Sequence, residues 1–227
     1  MKKFSILSLI LFILLINLIA QEPVADPDPA RYQGEINAFI DWNSKNSFPE
    51  NAVLFVGSSS IRLWKTRDYF PEFPVINRGF GGAHISDVLH YFDVVTRPYQ
   101  PKVILFYTGD NDIAGGKTPQ RVLDDYKKFV DRAQQAAPGV KIIYIPIKPS
   151  LNRWHLWEPM NKANQLIESF SETNPALFYA DIATPMLTDD GTPQPDLFAD
   201  DGLHLNEKGY ELWTKIVKPM LKVVYDK

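Results

Sequence analysis

"KVILFYTGDNDIAGGKTPQRVLDDYKKFVDRAQQAAPGVKIIYIPI", residues 102–147, decides the fold. Its ends, "KVILFY" and "KIIYIPI", are β-rich, and its middle has helical spacing. Thr118 can cap that helix, Pro119 suits its first turn, and Val122, Tyr126, Phe129, Val130 and Ala133 share one face. A strand, a helix and a second strand in succession predict parallel pairing, because the helix carries the chain back to the edge it left.

Three further β-rich runs extend the pattern, "AVLFV" (52–56), "PVIN" (74–77) and "ALFYA" (176–180). "RYQGEINAFIDWNSKN" (31–46) reads as a first helix whose apolar side is Ile36, Phe39, Ile40 and Trp42. A last helix runs from about Asn206 to Val224, with Tyr210, Trp213, Ile216 and Val217 on one side and Pro219 expected to bend it. The class expected is therefore α/β, a three-layer α/β/α sandwich around a five-stranded, mostly parallel sheet. The 227 residues suit one domain, placed at 31–227, and no internal repeat is visible.

The segment before that domain differs in kind. "MKKFSILSLILFILLINLIA" (1–20) has Lys2 and Lys3 followed by an apolar stretch ending in small Ala20, the pattern of an export signal peptide. A retained anchor is the competing reading, since Phe4 to Ala20 approaches spanning length. "QEPVADPDPA" (21–30) reads as a polar, Pro-rich linker. The expected location is periplasmic or secreted, with no stable membrane association once the leader is cleaved.

With no cysteine, the chain has no disulfide, no cysteine nucleophile and no Cys-based zinc site. The net charge of −3 becomes more negative when Lys2 and Lys3 leave with the leader. That balance argues against a nucleic-acid partner, which needs a basic face to replace phosphate counterions.

In an open parallel sheet, ligands bind beyond the carboxyl ends of the strands. "GSSS" (57–60), "RGFGG" (78–82) and "GDND" (109–112) follow the first three strands, so three unusual loops converge on one rim. A serine there needs a base, usually a histidine oriented by a carboxylate. His84 and His90 fall in the helix after "GFGG", and His155 falls in an aromatic loop. His204, in "DDGLHLN", has Asp201 three positions back, a spacing that lets the two side chains converge. By itself that spacing is a weak pattern, and it favours a polar loop with an incidental histidine.

Taken in order, Ser in "VGSSSI", Gly in "NRGFGG", Asn in "GDND" and His in "DGLH" resemble the four blocks of the SGNH, or GDSL-type, serine esterase/acylhydrolase family. The resemblance spans roughly residues 52–210 and implies that family's flavodoxin-like α/β fold. It selects Ser59 as nucleophile, two places after Gly57, and leaves Ser58 where the family usually has aspartate. Ser60 is expected to face inward or to cap the helix that follows. The resemblance further implies His204 as base, Asp201 as its acid with Asp200 as runner-up, and an oxyanion hole from the Ser59 and Gly82 backbone N–H groups and the Asn111 amide. No cofactor is required. A metal at Asp110 and Asp112 is disfavoured, because they flank the asparagine and no further ligand spacing follows.

"KPSLNRWHLWEPMN" (148–161), after the fourth strand, should reach the same rim. Trp154, Trp157 and Phe80 are the expected substrate-binding walls, with Trp64 as a further one. Leader and tryptophans together suggest a small-molecule or carbohydrate ester as substrate, with short acyl (acetyl) groups removed through an acyl-enzyme on Ser59. Lipase, thioesterase and acyltransferase activity share the same blocks, and a lapsed, saccharide-binding relative is the non-enzymatic alternative.

Overall fold

The structure is a computed structural model and describes residues 24–227; the expected signal peptide, residues 1–20, lies outside the described residues. Five strands form the sheet: β1 (Val53–Gly57), β2 (Val75–Gly79), β3 (Val103–Tyr107), β4 (Lys141–Tyr144) and β5 (Leu177–Tyr179). They lie in the order β2-β1-β3-β4-β5, and every neighbouring pair is parallel. The sheet is thus wholly parallel, where the sequence reading allowed a mixed one. Among the helices that pack on it are α1 (Gln33–Lys45), α2 (Ser59–Arg62), α3 (Ile85–His90), α4 (Asp110–Ala114), α5 (Pro119–Ala136), α6 (Trp157–Ser171) and α7 (Glu207–Asp226). Further short helical turns join them. Among the described residues no helix is long and apolar enough to cross a membrane.

Alternation along the strands divides the core in two. Leu54, Val56, Ile104, Phe106, Ile142 and Tyr144 face one side, where α5 and α6 bury Tyr126, Phe129 and Ile167 against them. Val53, Phe55, Val103, Leu105 and Ile143 face the other, under Trp64, Phe70, and Trp213 and Val217 of α7. Both faces are covered, which is why these strands read as unbroken apolar runs. In α5 the residues read from its spacing are all buried, joined by Leu123 and Asp125, and Thr118 caps it through Arg121 N. Helix α7 continues through Pro219.

Two expectations change. In α1 only Ile36 is buried, while Ile40 and Trp42 are 45% and 42% exposed, because the helix lies at the sheet's margin. Residues 24–30, read as a linker, are docked on the domain. Asp26 pairs with Lys117 (2.7 Å) and Arg121 (2.8 Å), Arg31 pairs with Asp87 (2.5 Å), and the Tyr91 hydroxyl donates to the Pro29 carbonyl (2.8 Å).

Candidate active site

The register ends β1, β2 and β3 level, at Gly57, Gly79 and Tyr107, so the three loops that follow emerge side by side. Gly57 has φ +149°, and a Cβ there would lie 1.9 Å from the Tyr107 carbonyl oxygen. Only glycine lets the chain turn this close to β3. The three serines then diverge. Ser58 N donates to Tyr107 O (3.0 Å) and its side chain is fully buried. Ser60 also points inward, its Oγ accepting from Lys148 Nζ (3.3 Å) while its carbonyl accepts from the Tyr210 hydroxyl (2.9 Å). Ser59, the first residue of α2, remains at the crevice.

Ser59 Oγ lies 3.1 Å from His204 Nε2, and His204 Nδ1 lies 2.5 Å from Asp201 Oδ2. The other Asp201 oxygen accepts the backbone N–H groups of Leu203 and His204, each at 2.9 Å. The imidazole bond, followed by the Leu203 N–H, holds the Asp201 carboxyl down to about 2, so it is ionised at neutral pH. Asp201 rather than Asp200 is therefore the carboxylate on the imidazole. Both nitrogens of His204 are engaged, one by an anion and one by a hydroxyl, the arrangement in which imidazole can accept a serine proton. His84, His90 and His155 make no hydrogen bond to Ser59. His84 instead caps α3 beside Asp112 (3.7 Å), where burial, reinforced by Lys117, lowers its pKa to about 4.

Gly82, exposed and with φ +72°, stands in the loop after β2, and Asn111 in the first turn of α4, just after β3. The Asn111 amide nitrogen donates to the Ala83 carbonyl (3.2 Å), and its oxygen accepts from Arg153 Nη2 (3.0 Å). Asp110 accepts the Asn111 backbone N–H (3.0 Å), pairs with Arg153 Nη1 (3.3 Å) and faces Lys148 Nζ at 3.6 Å. Burial lowers the Lys148 pKa, an effect Asp110 opposes. Asp112 is engaged by Lys117 Nζ (2.9 Å) and by Ile85 N.

The expected walls divide. Trp154 and Trp157 stack, with ring centroids 5.8 Å apart, and both are half-buried, Trp154 in the turn before α6 and Trp157 at its first residue. Phe80 is not a wall: it is 0% exposed, seated edge-on against Tyr32 inside the core. Trp64 is likewise buried, against Phe55, Phe70 and Trp213. An aromatic just beyond a strand end has the same sequence signature whether it turns in or out. Sequence reasoning passed over Lys148 and Arg153, although they stand in the loop expected at the rim. Their positive charges, unusual in so aromatic a stretch, are the signal that marks them.

The parallel α/β/α sandwich, joined to the sequence pattern of lipases and acylhydrolases, is that of a carboxylic ester hydrolase. A model described as GDSL-like Lipase/Acylhydrolase family matches residues 62–212, well over half the chain, and the protein belongs to that family. The match begins just after Ser59, where "GSSS" departs from the family's usual aspartate. The fold is shared with a candidate acylhydrolase from Bacteroides fragilis, at 20% identity and TM-score 0.75, covering 88% of this chain and 100% of that one. It is shared also with a GDSL-like lipase from Bacteroides thetaiotaomicron, at 20% identity and TM-score 0.72, covering 83% and 97%. A carbohydrate esterase family 3 protein from Talaromyces cellulolyticus aligns at 18% identity and TM-score 0.64, covering 78% and 98%. No curated protein matches the chain.

Proposed function

We propose that the protein is an exported serine esterase that removes short acyl groups, acetyl above all, from carbohydrates. The observation that carries the reading is the line from Ser59 Oγ through His204 to Asp201, at 3.1 and 2.5 Å. Ser59 Oγ attacks the ester carbonyl carbon as His204 Nε2 takes its proton. The charge that gathers on the carbonyl oxygen meets the Ser59 and Gly82 N–H groups and the Asn111 amide. Collapse breaks the bond to the alcohol oxygen, which receives the proton from His204. Water, deprotonated in turn by His204, then releases the acid and restores Ser59. Asp201 keeps His204 in the required tautomer throughout.

The alcohol leaves on the side of the histidine that protonates it. There a cavity of about 570 Å³ borders His204, lined by Leu63, Tyr69 and Leu205 together with Asp68, Glu207 and Glu211. An aromatic ring among carboxylate acceptors suits a hydroxylated alcohol better than an alkyl chain. The esterase of carbohydrate esterase family 3 in Talaromyces is built on the same fold. Export rests on residues 1–20 and predicts a mature chain beginning at Gln21.

Nitrophenyl acetate, acetylated xylan, acetylated sugars and long-chain lipid esters, assayed in parallel, test the proposal. Acetyl esters should turn over, and Ser59→Ala should lose at least about 10³-fold in kcat. Activity confined to long chains removes the carbohydrate assignment, and equal rates in wild type and Ser59→Ala remove the nucleophile.

A further inference from the structure

An asparagine amide stabilises an oxyanion only through its NH2 end, yet its two ends are nearly the same size and nothing in its own shape selects between them. Two neighbours make the choice for Asn111. The Ala83 carbonyl takes one hydrogen of Nδ2 at 3.2 Å, the second meets no acceptor among the described residues, and Arg153 Nη2 donates to Oδ1 at 3.0 Å. Rotating the amide by half a turn would set oxygen against the Ala83 oxygen and NH2 against the guanidinium, losing both bonds.

Arg153 is itself fixed. Its Nη1 binds Asp110 Oδ2 at 3.3 Å, and the other oxygen of that carboxylate accepts the Asn111 backbone N–H at 3.0 Å. One carboxylate and one guanidinium thus grip Asn111 at its main chain and its side chain together. Arg153 is only 18% exposed, so the contact is largely out of water. A cation on the amide oxygen also draws electron density from the nitrogen and makes its free N–H a stronger donor.

We propose that Arg153 is a positioning residue for the reaction: it locks the orientation of the Asn111 amide and strengthens its N–H toward the developing oxyanion, without touching substrate. The inference rests on the esterase reading for its kinetic consequence, though the orientation of the amide does not depend on that reading. Lysine cannot replace Arg153 in full, because one ammonium cannot present a planar fork to Asp110 and Asn111 at once.

The test is a double-mutant cycle on the full chain with nitrophenyl acetate. Arg153→Met should lower kcat by about 10- to 100-fold, less than the roughly 10²–10³-fold expected for loss of an oxyanion donor, and leave KM within about two-fold. Arg153→Lys should recover part of that loss, and serves in its place should the methionine variant not fold. In an Asn111→Ala background, Arg153→Met should cost less than about two-fold more, since the group it positions is gone. By NMR, the Asn111 side-chain NH2 resonances, identified by their disappearance in Asn111→Ala, should move in Arg153→Met. Equal losses in both backgrounds, a change in KM alone, or unmoved resonances would overturn the proposal. Wild-type turnover by Ser59→Ala would overturn the esterase reading instead, and the resonance measurement would still decide the role of Arg153.

Discussion

Three consecutive serines are told apart by what each one touches, since their chemistry is identical. Ser58 and Ser60 are absorbed into the packing behind the loop, and only Ser59 is left to meet an imidazole. His84 shows the reverse case, a histidine held away from chemistry. Its ring is neutral in the folded protein until the pH falls to about 4, whereas an unfolded histidine binds its proton near 6.5. Between those values the unfolded chain binds more protons, so stability falls as the pH drops through that window, by up to about 3 kcal/mol from this residue. Urea titrations at pH 7 and pH 4.5 should show a smaller loss for His84→Gln than for wild type. The residues of the site were legible in proportion to how far their spacing constrains them. Ser59, Asn111, Asp201 and His204 stood out because four short blocks recur in a fixed order. Phe80 was misplaced because burial of a lone aromatic depends on partners distant in sequence, here Tyr32 and Tyr91. Arg153 was overlooked because its role exists only once the loop after β4 has folded back onto the loop after β3.

At the level of elements, periodicity carried the reading where elements are long. The apolar face of α5 and the five apolar runs translate directly into the layers of the sandwich. Helix α2, at four residues, is barely one turn, too short for a periodic pattern to repeat, and its place is set by Gly57. Methyl substitution at Gly57 must move β1 away from β3 or unwind the turn, since the added carbon would overlap the Tyr107 carbonyl. Gly57→Ala should therefore lower Tm by more than about 5 °C or abolish soluble expression, and any soluble fraction should be inactive. A thermal melt with a parallel esterase assay measures both. Gly79 is under similar constraint, with Arg62 N 2.3 Å from its would-be Cβ, so β2 and α2 fix each other and the nucleophile between them.

Over the whole molecule, the segment before α1 is part of the folded body. Lys117, whose side chain is 1% exposed, is surrounded by Asp26, Asp112 and Asp125, and Tyr32 fills the core beside Phe80. Beginning the chain at Gln33 in place of Val24 removes Asp26 and Tyr32 together and leaves a buried ammonium with one partner fewer. The shorter chain should melt about 5–10 °C lower by calorimetry. That docking also sets the reach of whatever precedes it. Only residues 21–23 separate Ala20 from the docked segment, and three residues span at most about 10 Å. Were the apolar leader kept in a bilayer, the catalytic body would be moored flush against the lipid headgroups, able to work only on surface-borne esters. Scission after Ala20 is thus what would free it to roam toward polymers lying farther out.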